Sequence, residues 1–140
     1  MSEARVRPPI GRSLLALFTG FVAIVVLSTA TDWAMHTTGV FPPEGQPMSD
    51  GLFVFATAYR LVYGILGAYL VARLAPDRPM RHALLSGFLG TVLTLLGVVT
   101  TWDKGPEFGP KWYPILLAVT AIPCSWLGGK LYGERSKAAA

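Results

Sequence analysis

Charge is what this sequence has least of. Only 14% of its 140 residues are Asp, Glu, Lys or Arg, against 52% that are hydrophobic. The few charges sit at the ends of long apolar runs rather than being spread along the chain. A soluble domain of this size covers itself with charge, so the distribution argues against a water-soluble globule and for the bilayer as solvent. Cysteine is nearly absent as well: Cys124 stands alone, which excludes an intrachain disulfide and makes it a small packing residue. No CxxC, HExxH, GxSxG or Walker-type glycine loop occurs. The sequence signatures of thiol exchange, zinc hydrolysis, serine hydrolysis and nucleotide binding are therefore missing. Gly128-Gly129 is too short to cradle a phosphate, and no nucleophile stands beside a positioned base, so the sequence leans away from an enzyme.

What is present is apolar length. The runs Ser13 to Thr31, Ala83 to Thr101 and Trp112 to Gly129 contain no charge, and Gly51 to Ala72 is interrupted only by Arg60. At about 1.5 Å per helical residue each covers most of a hydrocarbon core about 30 Å thick. The expectation is an all-α, integral membrane four-helix transmembrane bundle. It forms one transmembrane domain over 1–140, with helices at about 13–38, 51–74, 80–101 and 111–132. A cleaved signal peptide is the rival for the first run, since Arg5, Arg7 and Arg12 precede it and Ser28-Thr29-Ala30 resembles a cleavage site. A retained helix is preferred, because the apolar pattern continues past Ala30 toward Thr38.

Lys and Arg placement orients the bundle. Arg5, Arg7, Arg12, Arg73, Arg78, Arg81, Lys130, Arg135 and Lys137 fall at one end, and Lys104 and Lys111 at the other. By the positive-inside rule both termini are cytoplasmic. The net charge of +4 calls for anionic lipid headgroups rather than nucleic acid. Trp102, Trp112 and Tyr113 mark the outer interface and Tyr132 the inner one.

The connections carry their own signals. "GVFPPEGQPMSD" (39–50) cannot continue a helix through Pro42-Pro43, and Ser49 or Asp50 is placed to cap the second helix. "APDRPMRH" (75–82) is a tight inner turn with Pro79 suited to a first helical turn, which predicts a close pairing of helices two and three. Gly64, Gly67 and Ala68 on one side, and Gly90, Thr94, Gly97 and Thr101 on the other, are the small residues expected to make that contact. Pro123 should bend helix four. Shifting the chain by 63 residues places Thr37, Thr38, Pro43, Glu44 and Pro47 on Thr100, Thr101, Pro106, Glu107 and Pro110. Thr57, Ala58 and Tyr69 also fall on Thr120, Ala121 and Tyr132. This is the pattern of a duplicated hairpin with an axis along the membrane normal, although chance similarity in a biased composition also produces such matches.

One constellation stands out. Asp32 and Arg60 are charges inside apolar runs, where a lone charge costs about 2.5 to 3.5 kcal/mol. Arginine cannot shed its proton, so the economical arrangement makes Asp32 the counter-ion of Arg60 within the bundle. Ser28, Asp32 and His36 recur every four residues on one face of helix one, while Tyr59 and Tyr63 flank Arg60 as hydrogen-bond donors. Two functions fit this candidate site. It is either a structural knot in a non-enzymatic membrane component, or the proton-responsive centre of a small-solute transporter or channel using Asp32, Arg60 and His36. Asp32, His36 and Glu44 could be considered as metal ligands, but Glu44 lies on a loop and no further ligand is near, so no metal is expected. His36 and His82 fall near opposite faces, which argues against haem, and no cofactor is expected.

The runs "PPEGQPMSDGLF", "AYRLVYG", "ARLAPDRPMRHA", "KWYP" and "PCSWLGGKL" together resemble a group of small, uncharacterised four-span bacterial inner-membrane proteins. The resemblance covers most of the chain and implies a multi-pass inner-membrane location, with no activity, cofactor or catalytic residue attached. Small four-helix drug exporters are similar in architecture only: they carry an essential glutamate in the first helix, and here that helix has only Asp32 near its outer end. A bundle of four helices encloses little space, so self-association or a membrane-protein partner is expected beside the lipid.

Overall fold

A computed structural model describes residues 10–140; Arg5 and Arg7 lie outside the described residues. Four long helices follow one another: α1 (Ile10–Thr37), α2 (Asp50–Leu74), α3 (Pro79–Thr101) and α4 (Trp112–Ala138), with a single 3-10 turn at Pro106–Phe108 before α4. All four are long and apolar enough to cross a membrane. The helix α1 runs unbroken through Ala30. The helix α4 passes through Pro123 without interruption and extends six residues beyond its expected end at Tyr132.

The distribution of side-chain size is compatible with a bundle packed in lipid. Most of its buried positions are alanines and glycines, among them Ala16, Gly20, Ala68, Ala72, Ala83 and Gly128, and the largest fully buried side chain is only Val71. Phe18, Val26, Leu96, Val99 and Val119 instead point outward and are exposed. Water would penalise that arrangement. In lipid, apolar exterior surface costs little and association depends on close backbone approach, which small residues permit. Hydroxyls inside the spans are satisfied locally: Thr57, Thr94 and Thr120 each donate to the carbonyl four residues earlier, at 2.7–2.8 Å.

The expected pairing of α2 with α3 is corrected. Their principal neighbour is α4, which lies against both, while α1 packs on α2. The crossings show why. A Cβ on Gly128 would strike the carbonyl of Ile65, and one on Gly129 would lie 2.9 Å from Ala83 Cβ, so this glycine pair lets α4 approach α2 and α3 at once. Gly87 meets Ser125 and the Ala121 carbonyl of α4, whereas Gly97 faces open space, so the small face of α3 does not serve α2. Gly67 is instead the α1 contact: it and Gly20 press backbone to backbone, each with a carbonyl oxygen about 3 Å from the other's would-be Cβ. The tight turn from α2 to α3 sets proximity in sequence, but the small residues decide proximity in space.

Two hairpins, α1–α2 and α3–α4, therefore meet through α2 and α4. Residues matched by the 63-residue shift face each other across this seam. The rings of Tyr69 and Tyr132 pack edge to face at 5.8 Å, and Ile65 touches Gly128. The match is incomplete, because α3 also leans on α2 while α1 makes no comparable contact with α4.

The turns differ in detail from expectation. Neither Ser49 nor Asp50 caps α2 with its side chain; the Ser49 carbonyl accepts from the Leu52 and Phe53 amides instead. Arg78 precedes α3 in the left-handed region at φ 40°, with Pro79 at the first helical position.

Candidate functional site

The site forms where α1 and α2 meet near the 38–49 loop, at the end of the bundle that the Lys and Arg distribution leads one to expect outside and that is called outer on that expectation. Asp32 lies five residues before the end of α1 and Arg60 ten residues after the start of α2, depths of about 8 and 15 Å at 1.5 Å per residue. Side chains lean toward the N-terminus of their own helix, so Asp32 leans inward and Arg60 outward, and the difference closes. The Asp32 carboxylate does take both neighbours: one oxygen accepts from an Arg60 Nη2 N–H and the other from the Tyr59 hydroxyl. The pair is not sealed, with side-chain exposures of 29% for Arg60 and 31% for Asp32.

Further groups complete the surroundings of Arg60. Its guanidinium carbon lies 5.9 Å from the Tyr59 ring centroid and 5.7 Å from that of Tyr113, within the range of cation–π attraction. The Tyr113 ring is set by Phe53, whose centroid is 5.0 Å away. Phe53 in turn packs where Gly109, at φ 85°, has no Cβ to obstruct it. The Nε of Arg60 is buried without a protein hydrogen-bond partner.

The other sequence candidates are distributed differently from expectation. Tyr63 does not serve Arg60; its hydroxyl pairs with Thr31 Oγ1 at 2.7 Å, one turn deeper along the same interface. Tyr59 is a donor, as its place beside Arg60 suggested, and the acceptor is the Asp32 carboxylate. His36 bonds through Nδ1 to the Pro42 carbonyl at 2.7 Å and stacks edge to face on Phe41. It therefore fastens the outer loop, which Gly39 (φ 77°) turns back so that Phe41 is buried. Ser28 lines a deeper cavity together with Asp32. Tyr113 and Thr31 were not anticipated: Tyr113 carries the signature of an interfacial belt, and nothing in the sequence spacing shows that its ring turns inward.

Two cavities share the ion pair. An outer one of about 240 Å³ runs from the loop residues Pro43, Glu44 and Gln46 past His36 and Tyr113 to Asp32 and Arg60. A second, of about 360 Å³, lies among all four helices below, lined by Ser28, Thr94, Thr120, Cys124 and again Asp32 and Arg60. Glu44 and Glu107, matched by the 63-residue shift, both line the outer cavity. With Asp32 that makes three carboxylates against one guanidinium, so the outer cavity attracts cations and repels anions. Among the described residues no group of three or more His, Cys, Asp or Glu side chains is close enough to hold a metal ion.

Comparison with protein-family models, with curated proteins and with solved structures gave no match, so the reading of this site rests on the chain's own residues.

Proposed function

We propose that this chain is a non-enzymatic multi-pass component of a bacterial inner membrane, with both termini cytoplasmic, in which Asp32, Arg60 and Tyr59 lock α1 onto α2. The observation that supports the lock most directly is the occupancy of the Asp32 carboxylate, each oxygen of which has a partner on α2. Two charges that would be costly alone thereby become a specific contact between helices whose closest approach is through glycines and aliphatic chains. The Thr31–Tyr63 bond extends the same polar seam. Cytoplasmic termini follow from the excess of Lys and Arg at that end of the bundle.

A second reading, passage of a small cationic or neutral solute, is favoured by one specific observation: Asp32 and Arg60 stand in the walls of both cavities, as a partition between them. Cys124, the only cysteine, lines the inner cavity and distinguishes the readings. A membrane-impermeant trimethylammonium-ethyl methanethiosulfonate is applied to the outer-loop side of proteoliposomes. The lock predicts that Cys124 stays unmodified in folded protein. Its modification in the folded wild type overturns the lock and supports the solute path.

A further inference from the structure

A third cavity lies away from the ion pair, where the inner ends of α1 and α3 converge. Those helices touch little along their length, but His82 Nε2 and Ser13 Oγ hydrogen-bond at 2.9 Å and tie them together there. Beside this tie is a groove of about 690 Å³. Its polar end is formed by Arg78, Arg81 and His82, with Asp77 opposing them. Its other wall is apolar, and Leu85 and Phe88 are 45% and 56% exposed.

The two ion pairs of the described residues are Arg60 with Asp32 and Lys130 with Glu134. Neither guanidinium of the groove is engaged by a carboxylate among those residues, Asp77 included. Arg78 is also held at the mouth by backbone in the left-handed region, a conformation that costs free energy in a non-glycine residue. The groove thus joins two guanidinium groups with no carboxylate partner among the described residues, suited to bidentate contact with phosphate oxygens, to an aliphatic and aromatic wall running into the span. A free phosphate would use only the charged end.

We propose that this groove is a binding site for one anionic phospholipid, its phosphate held by Arg78 and Arg81 and an acyl chain laid along Leu85 and Phe88. The inference stands apart from either reading of the Asp32 site, since it shares no residue with it. A lipid seated there covers the gap between α1 and α3 at the end where the helices are joined by a single side-chain hydrogen bond. Basic recesses between helices are where anionic headgroups collect.

The test uses the full chain in a neutral detergent, titrated with phosphatidylglycerol, phosphatidylcholine or inorganic phosphate. Native mass spectrometry counts bound lipid, and a thiol-reactive fluorogenic maleimide at Cys124 follows thermal unfolding. One phosphatidylglycerol is expected to remain bound and to raise the midpoint, with phosphatidylcholine and inorganic phosphate ineffective. Replacing both Arg78→Gln and Arg81→Gln is expected to weaken the effect by about 25-fold, taking about fivefold per arginine. Arg73→Gln, at the inner end of α2, leaves it unchanged. Equal retention of phosphatidylcholine by the wild type, a reading that does not require the variants to fold, overturns the proposal. So does the same stabilisation by inorganic phosphate, an undiminished response in the double variant, or an equal loss in Arg73→Gln.

Discussion

Neutralising the ion pair one side at a time gives unequal losses. Asp32→Asn leaves the Arg60 guanidinium, which cannot release its proton, facing a neutral amide. Breaking a fully buried pair costs about 3 to 5 kcal/mol, but both partners here retain near 30% exposure to the flanking cavities. A loss nearer to that of one charged hydrogen bond, about 1.5 to 3 kcal/mol, is the better expectation. Arg60→Leu strands the carboxylate instead, yet Tyr59 still donates to it, so its loss should be smaller. The double variant carries no charge at depth and should recover about 1 to 2 kcal/mol relative to the sum of the single losses, within the range of coupling between contacting residues. Thermal unfolding in lipid nanodiscs, followed by fluorogenic labelling of Cys124, reads these values as midpoint shifts. For a chain of this length about 2 kcal/mol corresponds to about 6 to 10 °C. Additive single losses, with no recovery in the double variant, would refute the reasoning.

Tyr59→Phe removes the second donor to Asp32 and should lower stability by about 1 to 2 kcal/mol. Tyr63→Phe acts only through Thr31 and should cost less; the same unfolding assay ranks the two, and a larger loss in Tyr63→Phe contradicts the placement of the carboxylate. Gly128→Val forces a side chain against the Ile65 carbonyl and Ala68 and should cost at least about 1 to 3 kcal/mol. Gly97→Val meets nothing within 4 Å and should be nearly neutral in the same measurement. Orientation is checked in spheroplasts with an impermeant maleimide on a Cys124→Ala background. Gln46→Cys should label from outside and Ala140→Cys only after lysis, and the reverse pattern contradicts cytoplasmic termini.

The spans were legible because their signal is one of length and missing charge, which needs no knowledge of neighbours. The Asp32–Arg60 contact was legible for a related reason: an unpaired charge at depth is costly enough that few arrangements remain. Neighbour identity was harder to read. The short turn between α2 and α3 suggested a tight pair, whereas Gly87, Gly128 and Gly129 direct the closest approaches to α4, and glycine carries no label for its partner. His36 illustrates the same limit. Its spacing from Asp32 places both on one face of α1, but the return of the outer loop offers it the Pro42 carbonyl, and loop trajectories are not encoded in helical periodicity. Tyr113 is a residue whose type predicts an interface and whose packing on Phe53 turns it toward Arg60.

Proximity of Asp32 and Arg60 across the α1–α2 interface is most directly measured by crosslinking. Asp32→Cys and Arg60→Cys are combined on a Cys124→Ala background and treated in membranes with a short bifunctional methanethiosulfonate, beside a control pairing Arg60→Cys with Trp33→Cys, whose position is 69% exposed. Efficient intramolecular linkage of the first pair and not the control is the predicted result. Linkage of the control alone would contradict it and would turn the aspartate away from the helix that carries its counter-ion.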